Sequence, residues 1–143
     1  MKNKIIFGII VIFIIISITV FISIVFSNKD GDIKKAEIVI EDSEIYSKND
    51  IESAISIVLN EFKNFPATLN KIWYDDQQSR IENDKLIYKS DTNEAIVLSS
   101  NFKTYPGKQA LYDGFDSNTE YSNWNWILVR TNHDEWKLKT WGY

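Results

Sequence analysis

The stretch that decides the fold is the end of the chain, YSNWNWILVRT (residues 121–131) followed, after NHD, by EWKLKTWGY (residues 135–143). Both runs are rich in β-branched and aromatic residues, so they predict two strands of a β-hairpin. With a two-residue turn at Asn132 and His133, apolar residues of one strand share a face with apolar residues of the other, and no two cationic residues are paired across the hairpin. The predicted pairs are Thr131–Asp134, Arg130–Glu135, Val129–Trp136, Leu128–Lys137, Ile127–Leu138, Trp126–Lys139 and Trp124–Trp141.

This register gives the hairpin two unlike faces. An apolar face, predicted to pack in the core under a helix, consists of Ile127, Val129, Trp136 and Leu138. The second face carries Trp124, Trp126, Leu128, Arg130, Lys137, Lys139 and Trp141. Aromatics commonly fill sheets for packing alone. Cations beside indole rings also fit a concave lining or an exposed platform for sugars or an acidic partner. The predicted ligand-binding residues are therefore Trp124, Trp126, Arg130, Lys139 and Trp141.

Upstream of the hairpin, the sequence predicts an amphipathic helix. Ser47 and Asp50 have the spacing of a capping box, with Asp in place of the usual Glu or Gln. Pro66 ends the helix near Phe65. Six apolar residues behind the cap recur at the spacing of one helical face, namely Ile51, Ala54, Ile55, Val58, Leu59 and Phe62. Such a stripe is typical of a helix that packs on a core.

The middle of the chain alternates strand and helix signals. Residues 68–74 predict a strand, a second helix is plausible from Asp75 or Asp76, and residues 94–102 predict a clear strand. Residues 36–41 fit a short strand or an extended lead-in. Residues 104–120 hold turn residues throughout and predict a long loop.

Little in the sequence indicates chemistry. Cys is absent and His occurs once, which excludes thiolate and multi-His metal sites. His133 stands beside Asp134, and sequence neighbours do not form a triad. The loop carries four oxygen ligands within eight residues, but their spacing does not match an EF-hand, so a polar turn is favoured over a calcium site. These four are Asp113, Asp116, Asn118 and Glu120. No catalytic residue, metal or cofactor is predicted.

The beginning of the chain differs in kind from the rest. The run that starts at Ile5 and ends at Phe26 holds 22 residues without a charge, which is long enough to cross a bilayer as a helix and too long for a usual signal peptide. We expect a membrane signal-anchor at residues 1–26, a polar tether at residues 27–44, and an α+β domain at residues 45–143. The numbers of basic residues on the two sides of the apolar run are nearly equal, so the positive-inside rule does not decide the orientation. The short N-terminal tail favours a domain outside the cytoplasm.

The capped helix and the segments LNKIWYDD (residues 69–76), AIVLSSNF (95–102), YSNWNWILVR (121–130) and WKLKTWGY (136–143) resemble a family of uncharacterised small exported or membrane-anchored domains of low-GC Gram-positive bacteria. That resemblance implies a nuclear-transport-factor-2-like or cystatin-like fold, in which one or two helices pack on a curved antiparallel sheet. The chain departs from the family at His133 and Asp134, where the family has glycine. The resemblance implies no activity.

The predicted function follows from the anchor and the charge. Residues 27–143 hold 14 basic residues (16 minus Lys2 and Lys4) and 20 acidic ones, so their net charge is −6. That sign disfavours nucleic acid and anionic lipid surfaces. The main hypothesis is a single-pass membrane protein, not an enzyme, whose outer domain binds a small ligand or a cell-surface protein. The alternatives are an envelope enzyme with an inward-facing carboxylate beside aromatics, and an immunity-type protein.

Overall fold

A computed structural model describes residues 30–86 and 94–143 of the chain. The predicted membrane segment, residues 5–26, lies outside these residues. Across the two described ranges, no helix combines the length and the apolar character needed to cross a bilayer.

The described residues form an α+β domain, as predicted. Five strands make one sheet, and two longer helices and one five-residue helix lie between them. In chain order the elements are β1 (Glu37–Val39), α1 (Lys48–Phe62), β2 (Ala67–Tyr74), α2 (Asp76–Leu86), β3 (Glu94–Thr104), α3 (Lys108–Tyr112), β4 (Glu120–Arg130) and β5 (Lys137–Gly142).

The sheet has the strand order β1-β2-β3-β4-β5. Strands β2 to β5 pair antiparallel, but β1 runs parallel to β2, so the prediction of a wholly antiparallel sheet is wrong. A parallel neighbour arises because α1 crosses back over the sheet between β1 and β2. β1 lies within residues 36–41, so the short strand offered for that segment is the alternative confirmed. The predicted polar tether extends over residues 27–44, but β1 and Asp32, which forms a bridge to Thr68, belong to the sheet.

Helix α1 begins as the sequence predicts. Ser47 is its N-cap, and the reciprocal bonds between Ser47 and Asp50 form the predicted capping box. Its apolar face is buried against the sheet, and at its far end the Phe62 ring lies 6.2 Å from that of Trp126. The helix ends at Phe62, three residues before the predicted end. The predicted core stripe is therefore confirmed, apart from Leu59, which is only partly buried.

Helix α2 covers the edge of β3 beyond the point where β2 ends. The amide of Asn83 accepts from the backbone N–H of Ala95 and donates to its carbonyl, and the hydroxyl of Ser79 accepts from the N–H of Val97. These side chains replace the missing strand neighbour, so the buried backbone groups keep their partners. The start of α2 is as predicted, because the Asp75 carboxylate accepts from the N–H of Gln78.

The turn of the C-terminal hairpin is confirmed, but its register is wrong. Asn132 and His133 both have positive φ, 51° and 62°, and the N–H of Asp134 donates to the carbonyl of Thr131. Beyond this type I′ turn, one extra residue on the β5 side shifts the pairing, so that Leu128 faces Leu138 and not Lys137. A second irregularity brings Trp126 opposite Trp141.

The predicted face assignment of β4 is also wrong, because the opposite face of this strand is buried. The buried positions are Trp124, Trp126, Leu128 and Arg130, whereas Ile127 and Val129 are half-buried. Trp136 occupies the extra position and drops into the core, 3% exposed. The interpretation of the tryptophans of β4 as packing residues is the one confirmed. The prediction of a long loop at residues 104–120 is also partly wrong, since residues 108–112 form α3.

Candidate functional site

A cavity of about 510 Å³ lies at the end of the sheet where β3 begins and β4 ends. The start of α1, the side of α2 and the hairpin turn close around it. Most of its lining side chains are polar or charged. They are Ile45, Tyr46, Asp50, Arg80, Asn83, Asp84, Glu94, Arg130 and His133. Concave sites with a few convergent polar groups are where proteins most often bind small molecules.

Arg130 is the centre of this wall. Its side chain is 8% exposed, and two carboxylates hold it: Nη1 lies 2.6 Å from Asp50 and Nη2 lies 2.6 Å from Glu94. The guanidinium carbon lies 4.1 Å above the centroid of the Trp136 ring, in cation–π geometry. Burial opposes the charge, but the hydrogen bonds that Arg130 donates to Asp50 and Glu94 prevail and raise the pKa of Arg130. Arg130 is therefore a fixed cation.

Glu94 joins Arg130 to the only histidine of the chain. One oxygen, Oε2, accepts from Arg130, and the other, Oε1, lies 2.8 Å from Nδ1 of His133. The Glu94 side chain is 18% exposed, whereas that of His133 is 80% exposed. With Nδ1 facing the carboxylate, Nε2 is the ring nitrogen left to meet a ligand or a water molecule.

Tyr46 links the cavity to α2. Its hydroxyl donates to the carbonyl of Ala95 at 2.9 Å and accepts from Asn83 at 3.0 Å. Burial raises the pKa of the Tyr46 phenol, so it stays protonated at neutral pH. Its ring meets that of Trp136 edge-on, with centroids 5.4 Å apart. The phenol is thus a fixed part of the wall.

Asp50 has two structural duties at once. It caps α1 through Ser47 and holds Arg130 from the opposite side to Glu94. The hydrogen bond from Ser47, followed by that from Arg130, keeps the pKa of Asp50 below its ordinary value of 3.8. The helix cap and the cavity are consequently coupled through one carboxylate.

A second, exposed arginine borders the cavity. Arg80 lies 2.7 Å from Asp76 and 3.1 Å from Glu44, and its side chain is 44% exposed. The hydrogen bond from Arg80 lowers the pKa of Asp76. Asp76 also accepts from Ser43 and Tyr74, and burial raises the pKa of Tyr74 to about 12. These contacts hold the loop before α1 against α2.

The predicted ligand-binding residues do not line the cavity together. Trp126 is fully buried, and its indole N–H donates to the hydroxyl of Ser100 at 2.8 Å. Trp124 is buried in the aromatic cluster near Phe102, and Trp141 is 41% exposed and stacks on Trp124. Lys139 is exposed on β5. Of the five, only Arg130 lines the cavity.

Sequence reasoning missed Tyr46, Glu94 and Asp50 as site residues. The sequence of β4 contained a signal for the ion pairs of Arg130. Arg130 continues the every-second-residue pattern of Trp124, Trp126 and Leu128, whose side chains lie on one face of the strand. A cation in register with buried positions requires carboxylate partners. In the ranges that the structure describes, no group of three or more His, Asp or Glu residues could hold a metal ion.

In comparisons with known proteins, no protein-family model, no curated protein and no solved structure matches the chain.

Proposed function

We propose that the chain is a single-pass membrane protein, anchored by residues 5–26, whose domain outside the cytoplasm binds a small polar ligand in the cavity around Arg130. Ligand binding is supported by one observation: the side chains of Tyr46, Glu94 and His133 line the same cavity, and hydrogen bonds hold its wall in place. The apolar run carries the membrane part. Membership of the uncharacterised family and the nuclear-transport-factor-2-like or cystatin-like fold stay predictions.

The wall is preorganised for binding. Asp50 and Glu94 fix Arg130, and Asn83 fixes the Tyr46 hydroxyl, so a ligand does not have to order these side chains. Preorganisation raises affinity because the conformational entropy is lost during folding and not during binding. The exposed imidazole of His133 and the partly exposed carboxylates supply hydrogen-bonding groups at the surface of the cavity.

The position of the cavity supports a role away from the membrane. The described chain starts at Asp30, near the beginning of β2 and the end of β3, because Asp32 pairs with Thr68 and the N–H of Gly31 donates to Lys63. The cavity lies at the start of β3. A strand of this length spans about 33 Å at 3.3 Å per residue, so an anchored domain holds the cavity on its far side.

A matched pair of substitutions tests the binding site. Ile45 lines the cavity and is 38% exposed, and Ile38 lies on β1 outside it and is 49% exposed. Ile45→Trp fills space in the cavity and removes no side-chain hydrogen bond, and Ile38→Trp makes the same change elsewhere.

The assay is a ligand-observed NMR screen of the full chain in lipid nanodiscs against amino acids, polyamines, sugars and sugar phosphates. We expect at least one class to bind the unmodified chain and the Ile38→Trp variant, and to lose its signal with Ile45→Trp. Equal signals from both variants would place binding outside the cavity and overturn the proposal.

The membrane part has its own test. We expect an added protease to digest the domain on intact cells that express the full chain, and the domain to be protected only if it faces the cytoplasm. Protection that ends on lysis would show that the domain faces the cytoplasm and would refute the proposed orientation. Recovery of the chain in the soluble fraction would refute the membrane anchor.

The pair formed by Glu94 and His133 favours a second candidate, an envelope hydrolase. A carboxylate on Nδ1 orients an imidazole so that Nε2 removes a proton from water while the water oxygen attacks an ester or amide carbonyl. The imidazolium then returns that proton to the alcohol or amine, which leaves as its bond to the carbonyl carbon breaks and the acid is formed. His133→Gln tests this without disturbing the core, since the ring is 80% exposed. Turnover of an ester panel by the unmodified chain, lost in His133→Gln, would favour the hydrolase, and no turnover by either would exclude esters as substrates.

A further inference from the structure

The loop between β3 and α3 lies beside the segment that leads toward the apolar run. The hydroxyl of Tyr105 donates to the backbone carbonyl of Asp30 at 3.2 Å, and the N–H of Tyr105 donates to the carbonyl of Pro66. The N–H of Gly31 donates to the carbonyl of Lys63 at 2.9 Å. We call residues 105–112, which comprise this loop and α3, the anchor-end loop, because Tyr105 is hydrogen-bonded to Asp30.

The distance from this loop to an anchor is short. Asp30 is four residues beyond Phe26, the last residue of the apolar run. Four residues span at most about 14 Å even when fully extended. If residues 5–26 cross the membrane, Asp30 lies within about 14 Å of the end of the apolar run, and the Tyr105 hydroxyl that is bonded to Asp30 brings the anchor-end loop to the membrane side of the domain.

The loop has the surface of an interfacial segment. Ala110 is 1% exposed and anchors α3 to the core, which turns the neighbouring Leu111 outward, 57% exposed. Pro106 and Lys108 are exposed as well. An exposed leucine beside a lysine suits the membrane interface, where the apolar side chain enters the acyl boundary and the ammonium stays at phosphate level.

We propose that the anchor-end loop is a bilayer-contact surface, with Leu111 inserted at the headgroup boundary and Lys108 beside the lipid phosphates. This rests on the proposed membrane anchor and is independent of what the cavity binds. The contact fixes the domain upright on the membrane, with the cavity facing away from it.

The experiment uses the absence of Cys from the chain, since a single introduced Cys carries a fluorescent label without background. Leu111→Cys places a nitrobenzoxadiazole label on the loop, and Ile45→Cys places it at the cavity end. Both full-length proteins are reconstituted in phosphatidylcholine vesicles that contain a headgroup spin-labelled lipid. We expect severalfold greater quenching of the label at position 111 than at position 45.

A second pair of proteins separates contact from mere closeness. The label is placed at Lys108→Cys, in the otherwise unmodified chain and together with Leu111→Asp, which removes the apolar anchor. We expect quenching to fall when Leu111 is replaced, because the loop leaves the surface. Unchanged quenching would mean that the tether alone holds the loop near the lipid. That result would overturn the proposal that Leu111 inserts into the bilayer.

The remaining outcomes are also decisive. If the labelled proteins float with the vesicles but positions 111 and 45 are quenched equally, the anchor stands and the contact surface is refuted. If they do not float with the vesicles, both the anchor and the contact surface are refuted.

Discussion

The ion-pair cluster around Arg130 gives a prediction with a built-in control. Arg130→Met keeps most of the volume of the side chain and removes its charge. It leaves Asp50 and Glu94 facing each other without the cation that each approaches to 2.6 Å, in a place where the arginine was 8% exposed. Removing one member of a buried ion pair typically destabilises a protein by about 3–5 kcal/mol. Asp50 and Glu94 are 28% and 18% exposed, so we expect a loss toward the lower end of that range.

Arg80→Met is the matched control. Arg80 also bridges two carboxylates, Asp76 and Glu44, but its side chain is 44% exposed. Water screens such exposed pairs, so they contribute little to the free energy of unfolding. The two variants therefore differ in burial and not in the number of ion pairs.

The assay is urea unfolding of the full chain in mild detergent, followed by tryptophan fluorescence, which reports only on the domain because all five tryptophans lie beyond residue 72. We expect Arg130→Met to lower the unfolding midpoint far more than Arg80→Met. Adding Glu94→Gln to Arg130→Met should recover part of the loss, since it removes one unpaired charge. Equal effects of the two single variants would refute the argument that burial makes the cluster around Arg130 the stronger one.

Three further predictions follow from buried or coupled groups. Trp126→Ala should destabilise the domain by about 3–5 kcal/mol, whereas Lys139→Ala should change the unfolding midpoint little, because only the tryptophan is buried. The folded-state pKa values of Asp50 and Asp76 lie below 3.8, so their contribution to stability is present above that pH and should be lost as the pH falls below it, which acid titration followed by circular dichroism measures. Gly31→Ala should release the segment before β1, because a Cβ atom there would lie 2.0 Å from the carbonyl oxygen of Phe62; faster hydrogen exchange of the Leu69 amide, which donates to Asp32, would report the release, and unchanged exchange would contradict it.

Local sequence signals predicted most of the fold. The capping box at Ser47 and the start of α2 are determined by neighbouring residues, so the sequence alone identifies them. The turn at Asn132 and His133 is likewise local, although His133 is an unusual residue at positive φ.

The hairpin register and the parallel β1 depend on contacts that a local pattern does not contain. A single extra residue at Trp136 is favoured because it buries the indole under Arg130, and this energy belongs to the tertiary core. The cavity was missed for a related reason: Asp50 and Arg130 are 80 residues apart and meet only when the helix start reaches the end of β4.

The parallel pairing of β1 with β2 has a mechanical consequence. Traction on the chain at Asp30, directed away from the sheet, runs along the axis of β1 and loads it in shear against β2. The three residue pairs of β1 and the bridge at Asp32 then resist together, whereas a hairpin peeled from one end breaks its bonds in succession. The domain therefore resists a pulling force at Asp30 more strongly than a force that peels a strand from one end. Single-molecule force spectroscopy should show unfolding in one abrupt step.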